Sequence, residues 1–207
     1  MKKSSDMKVM LKEAGILFLI TLLSGLILGF VYELTKGPIA GQKAKKVQQA
    51  CAAVFEGADS FQEISFEAGA ALTEELTANG VRIGTVYEAK AADASVLGYV
   101  VQSTSTEGYG GNIVVFMGIT KDGVLNDISL LDIKETPGLG MKAGEVLVPQ
   151  FSNKQVESFT YTKSGSQSDS EIDAISGATV TTKAITNAVN GGLKVVQKLM
   201  QGGEANE

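Results

Sequence analysis

The run Asp173-Ala174-Ile175-Ser176-Gly177-Ala178-Thr179-Val180-Thr181 gathers hydroxyl groups and very small residues directly before a strongly amphipathic segment. If that segment is a helix, Ser176 stands at its N-cap, and Gly177, Ala178 and Thr179 form a first turn whose amides lack an intrahelical acceptor. Such a turn is a ready anion site. The small side chains of Gly177 and Ala178 would let a phosphate approach the backbone, with the hydroxyls of Thr179 and Thr181 beside it. A phosphate there could be bound or esterified. The same residues also read as an ordinary N-cap followed by small packing residues.

Two further motifs could serve a ligand. Glu135-Thr136-Pro137-Gly138-Leu139-Gly140 follows a predicted strand, and its Pro and Gly residues fix a turn with exposed backbone amides. A plain turn accounts for it as well. Gly108-Tyr109-Gly110-Gly111-Asn112 is a glycine-rich loop with one aromatic ring that could flank a planar ligand, or a simple hairpin loop.

Composition removes most alternatives. The chain has no His, no Trp and a single Cys, Cys51. Imidazole is therefore absent as base, haem ligand or zinc ligand, and one thiol cannot hold an iron–sulfur cluster or a Cys-rich zinc site. Triad chemistry built on Ser-His-Asp or Cys-His is excluded too. We expect no catalytic residues and no metal ligands. Cys51 reads as a small buried hydrophobe, and without a second Cys no intramolecular disulfide forms.

These motifs need elements to hold them. The segment Ala14 to Tyr32 carries no charge and matches a hydrocarbon core of about 30 Å, so it reads as a spanning helix. A cleavable signal peptide is the rival reading, with small residues at Gly37 to Gly41, but the apolar run is longer than a signal core. Lys2, Lys3, Lys8 and Lys12 precede the span, which favours an N-in, C-out, single-pass arrangement in the plasma or inner membrane. Residues 1–36 hold five Lys against three acids, a net +2, so in a chain whose total is −5 the remainder carries −7. An acidic body of that kind repels phosphate backbones, so no nucleic-acid partner is expected.

Beyond the span, Pro38 can open a new helix, and apolar positions at 47, 51, 54 and 55 predict a stalk helix. Residues 59–79 show no clear period. Strands are predicted over Val81 to Ala89, Ser95 to Thr104, Asn112 to Ile119 and Val124 to Ile133, with Lys121-Asp122-Gly123 as a hairpin turn. A short helix and a strand fit residues 147–161, and 162–170 is a Ser-rich loop. Ile185, Ala188, Val189, Gly192, Val196, Leu199 and Met200 recur at helical spacing, so an amphipathic helix runs from 178 to about 200, weakened locally by Gly191-Gly192. The predicted fold class is α+β, a mainly antiparallel sheet flanked by helices behind one transmembrane helix. The expected organisation is a basic cytoplasmic N-terminus (1–13), a transmembrane helix (14–34), a stalk helix (35–56), an extracytoplasmic domain (57–201) and a flexible tail (202–207).

The anchor, the Gly-Tyr-Gly-Gly-Asn-Ile loop, the Glu-Thr-Pro-Gly-Leu-Gly turn and Asp-Ala-Ile-Ser-Gly-Ala-Thr-Val-Thr before a final helix, in this order, closely resemble the FMN-binding domain family. Order and length match the G subunits of the Rnf ion-translocating ferredoxin:NAD⁺ oxidoreductase complexes. The C subunit of the Na⁺-pumping NADH:quinone oxidoreductase is a larger relative and fits this compact chain less well. The resemblance covers nearly the whole chain. It implies FMN joined through its phosphate to a Thr hydroxyl, installed by a flavin transferase that uses FAD as donor. The implied acceptor is Thr179, with Thr181 as the alternative. Asp173 would belong to the signal the transferase reads, and Ser176, Gly177 and Ala178 to the phosphate site. Glu135 to Gly140 would line the flavin site, with Thr136 and the amides of Gly138 and Leu139 as contacts and Tyr109 beside the ring. The implied role is an electron-relaying subunit of a membrane oxidoreductase, partnered by the other Rnf subunits and the lipid bilayer. Two other roles remain open from the residues: an anchored extracytoplasmic flavin or anionic-ligand binding module serving another membrane reductase, and a subunit that only braces a complex.

Overall fold

The computed structural model describes residues 2–202 of the 207-residue chain. Residues 203–207 of the expected tail, and the side chains of Lys2, Lys3 and Lys8, lie outside the described residues. The chain divides into two compact units, residues 1–45 and 46–207.

The described residues of the first unit are all helical. Helix α1 spans Lys2–Val54, and from Met10 onward it is long and apolar enough to cross a membrane. Large apolar side chains from Ile16 to Leu34 stand exposed. The Thr21 hydroxyl donates to the carbonyls of Leu17 (3.0 Å) and Phe18 (2.9 Å). That bonding satisfies a polar group inside the helix, as an apolar solvent requires. The break expected at Pro38 does not occur: the proline lies inside α1, and no second helix begins there. Proline removes one amide donor, but the Ala-, Lys- and Gln-rich residues after it are good helix formers that carry the helix through.

The second unit is α+β. Strands β1 (Ser60–Ile64), β2 (Val81–Lys90), β3 (Val96–Ser105), β4 (Ile113–Thr120) and β5 (Leu125–Asp132) form an antiparallel meander in sequence order. The Lys121-Asp122-Gly123 hairpin turn forms as expected, with the Thr120 N–H donating to Val124 O at 2.9 Å. The period-two alternation of β4 sorts its side chains onto two faces. Ile113, Val115, Met117 and Ile119 join the larger core, whereas Phe116 joins Ala50, Cys51, Val54, Phe55, Ala89 and Val100 on the other face. The end of α1 therefore supplies the apolar side that its spacing predicted, and Cys51 is buried within it. Desolvation raises the Cys51 thiol from 9.0 to about 11.

Helix α2 (Gly69–Ala78) and strand β1 occupy residues 59–79, which had no readable period. In α2 only Leu76 is fully buried, so no apolar stripe betrays the helix. Polar ties hold it instead: Lys194 to Glu75, Lys198 to Ala68 O, and Asn187 to Asn79 O. Short helices α3 (Ala143–Val146) and α4 (Val148–Phe151) follow β5. Strands β6 (Thr160–Thr162) and β7 (Glu171–Asp173) pair in parallel ahead of the last helix. That helix, α5 (Thr179–Met200), covers the larger core face and buries Ile185, Ala188, Val189, Val195 and Val196. Gly192 does more than weaken it. A Cβ there would stand 2.1 Å from Met117 Sδ, so the glycine sets how closely helix and sheet approach.

Candidate functional site

Two glycine turns bring the motifs together at one end of the sheet. Past β5, the Leu139 N–H donates to Thr136 O at 3.1 Å with Gly138 at φ +79. This is a type II turn, with Pro at its second position and the required glycine at its third. Before α5, the Ala178 N–H donates to Ile175 O at 2.9 Å with Gly177 at φ +77, a second turn of the same kind. That turn corrects the expected cap. Because Gly177 holds the chain out of helical geometry, α5 begins at Thr179 with Ala178 in the capping position and no side-chain cap. Ser176 lies too early to serve. The first intrahelical bond runs from the Thr182 N–H to Ala178 O at 3.0 Å. Among the described residues, the N–H groups of Thr179, Val180 and Thr181 have no acceptor.

Glu135 is the hub of the site. It is 6% exposed, its Oε1 accepts from the Gly110 N–H at 3.1 Å, and its Oε2 accepts from Thr181 Oγ1 at 2.7 Å. The approach depends on Gly140, where a Cβ would stand 2.6 Å from Thr181 Oγ1 and 2.7 Å from Glu135 Cβ. The hydroxyls of the first helical turn differ in burial and bonding. Thr181 and Thr182 are buried; Thr182 Oγ1 donates to Ala178 O at 3.0 Å and accepts from the Ile175 N–H at 3.2 Å. Thr179 is half-buried, and its hydroxyl makes no hydrogen bond among the described residues.

A cavity of about 470 Å³ opens over this helix start, lined by Tyr109, Glu135, Thr136, Leu139, Gly140 and residues 177–181. Its rim is apolar and exposed: Tyr109 at 75%, Val180 at 49% and Leu139 at 40%. Unpaired amides at one wall and apolar side chains at another suit a ligand with both a phosphate and a flat, weakly polar ring system.

Of the residues singled out from sequence, Tyr109, Glu135, Thr136, Leu139, Gly177, Ala178, Thr179 and Thr181 line this one cavity, whereas Ser176, Gly138 and Asp173 do not. Leu139 contributes its side chain; its amide is engaged within the turn. Asp173 is exposed at the end of β7, where its carboxylate accepts from the Ser166 N–H at 2.6 Å and ties down the Ser-rich loop. Val180 and the Gly110 amide escape a reading of the sequence. An apolar residue between two threonines in a first helical turn was the available signal for Val180; nothing local marks Gly110 as the partner of Glu135. Among the described residues no cluster of His, Cys, Asp and Glu could hold a metal ion.

Residues 108–194 match the FMN-binding domain model, and residues 1–54 match the model of the RnfG N-terminal region. The chain is 34% identical to the G subunit of the Na⁺-translocating ferredoxin:NAD⁺ oxidoreductase complex of Acetobacterium woodii, over 96% of this chain and 97% of that one. It is 31% identical to the G subunit of the proton-translocating ferredoxin:NAD⁺ oxidoreductase complex of Clostridium ljungdahlii, over 91% and 92%. The crystal structure of Shewanella oneidensis NqrC aligns with TM-score 0.46 and 18% identity, over 56% of this chain and 59% of that one. A full-length match to two such G subunits, with an FMN-binding domain enclosing the cavity, means that the chain belongs to the RnfG family of ion-translocating ferredoxin:NAD⁺ oxidoreductase complexes.

Proposed function

We propose that this protein is a membrane-anchored flavoprotein subunit that relays electrons within an ion-translocating ferredoxin:NAD⁺ oxidoreductase complex, through FMN esterified to Thr179. The observation that carries the site is the contrast among three neighbouring hydroxyls. Those of Thr181 and Thr182 are buried and hydrogen-bonded, while that of Thr179 is half-buried and unengaged, at a helix start with unpaired amides. FMN supplies the one- and two-electron chemistry that a chain without His and with one Cys lacks.

The chain's own residues bind and orient. The amides of Thr179, Val180 and Thr181 face the phosphate, whose negative charge the helix N-terminus favours. Leu139, Val180 and Tyr109 provide apolar walls for the ring system, and Gly177 and Gly140 keep the approach open. Attachment forms a bond from Thr179 Oγ1 to the phosphorus of FMN and breaks the pyrophosphate of an FAD donor. AMP leaves, and the hydroxyl proton passes to a base of the flavin transferase. Asp173, exposed shortly before the helix start, is the proposed recognition mark for that enzyme. The apolar helix anchors the protein in the bilayer, N-terminus inside, with the flavin domain outside and the other components of the complex as partners.

The test is production with a flavin transferase, followed by denaturation. The polypeptide should stay yellow and gain the mass of FMN minus water, and Thr179→Ala should abolish both. Flavin released on denaturation would instead mean a non-covalent binding module.

A further inference from the structure

We infer that Glu135 is a positioning residue for cofactor attachment, one carboxylate that assembles the site before any cofactor arrives. The inference rests on the flavin reading above and goes beyond it, since Glu135 acts here through other parts of the chain. Three segments far apart in sequence line the cavity: the β3–β4 loop, the turn after β5 and the start of α5. Glu135 opens the second, and each of its oxygens holds one of the others, Oε1 through the Gly110 N–H at 3.1 Å and Oε2 through Thr181 Oγ1 at 2.7 Å. These contacts reach back 25 residues and forward 46.

The burial fits a clasp between segments. A carboxylate that is 6% exposed, with no Lys or Arg paired to it among the described residues, gives up water for two neutral donors. Such an exchange contributes little to stability, and an apolar residue of similar size would serve a core as well. What it gains is geometry. With the carboxylate in place Thr181 is fixed, and with it the turn of α5 that presents Thr179. Without it, a part-buried N–H and a buried hydroxyl lose their acceptor together, and the loop and the helix start are free to separate.

Substitution and rescue test this by the rate of flavin attachment to the full-length protein, read by mass after production with the transferase. Circular dichroism and thermal unfolding of the unflavinylated variants run alongside. Glu135→Ala should slow attachment at least about tenfold, because both arms are lost. Glu135→Asp, one methylene too short to span both partners, should resemble it. Glu135→Gln should recover attachment to within about threefold of wild type, because its Oε1 accepts from Gly110 and its Nε2 donates to Thr181 Oγ1. Thr181→Val, which keeps the branched shape and cuts one arm, should fall between. A folded Glu135→Ala that attaches flavin at the wild-type rate overturns the inference, and so does a Glu135→Gln as poor as Glu135→Ala. If Glu135→Ala does not fold, Glu135→Gln and Thr181→Val decide: a wild-type rate in Thr181→Val overturns the clasp. Wild-type protein that takes no covalent flavin would refute the attachment itself, a separate failure.

Discussion

The two faces of the sheet are closed by the same physics and put to different uses. On one face the end of α1 and the residue after it pack Ala50, Cys51, Val54 and Phe55 against Phe116, Val100 and Ala89, and every group there is apolar or inert. On the other, α5 packs Ile185, Ala188 and Val189 against Val115 and Met117, but its start carries the hydroxyls of Thr179, Thr181 and Thr182 and the unpaired amides of Thr179, Val180 and Thr181. The proposed attachment chemistry sits where apolar packing gives way to small and hydroxylated residues. A helix buried on a sheet makes a core; one whose start is left uncapped under a cavity also leaves amide donors open to a ligand.

Removing the proposed acceptor strikes this contrast hardest. Thr179→Ala should abolish covalent flavin completely while leaving the thermal midpoint of the unflavinylated domain almost unchanged, since the hydroxyl has no partner among the described residues. Phe116→Ala, on the face without chemistry, should behave in reverse. It should cost about 3–5 kcal/mol of stability by leaving a core cavity, measured by denaturant unfolding, and the folded fraction should still accept flavin. Gly140→Ala should fall between them: its Cβ would press on Glu135 and Thr181, so we expect a loss of about 1–3 kcal/mol together with slower flavin attachment.

Cys51 gives a smaller effect that depends on pH. Its thiol is raised to about 11 by burial, so between pH 9 and 11 the unfolded chain releases a proton that the folded chain retains. Folding stability should therefore fall as pH rises through that window, by on the order of 2 kcal/mol, and Cys51→Ala should remove the dependence. In the native protein below that window the thiol should resist alkylation. The smallest effect belongs to Tyr109→Ala. At 75% exposure it should change stability by less than about 0.5 kcal/mol, yet alter the visible spectrum of the attached flavin, whose ring it is proposed to flank.

Much of the fold was legible because its elements announce themselves by period. Strands β2 to β5 alternate with turn residues between them, and α5 repeats its apolar residues at helical spacing. What was hidden lacked such a period. In α2, Leu76 alone is fully buried and the other ties are polar and distant, so the helix was invisible locally. At Pro38 a local rule gave way to the helix formers around it, and at Ser176 the good capping residue lost to a glycine turn that delayed the helix to Thr179. The three site motifs could be picked out by residue type, but their joining through Glu135 could not. That hydrogen bonding spans 25 and 46 residues, and no spacing rule reaches so far.

Mapping a single peptide decides whether flavin is attached and where. Lys163 and Lys183 bound a stretch without internal Lys or Arg, so trypsin releases Ser164 to Lys183 with Thr179, Thr181 and Thr182 in a single fragment. In protein matured with a flavin transferase, this fragment should be heavier by FMN minus water, and fragmentation should place the addition on Thr179. An unmodified fragment, or an addition on Thr181, would contradict attachment at the free hydroxyl of the helix start.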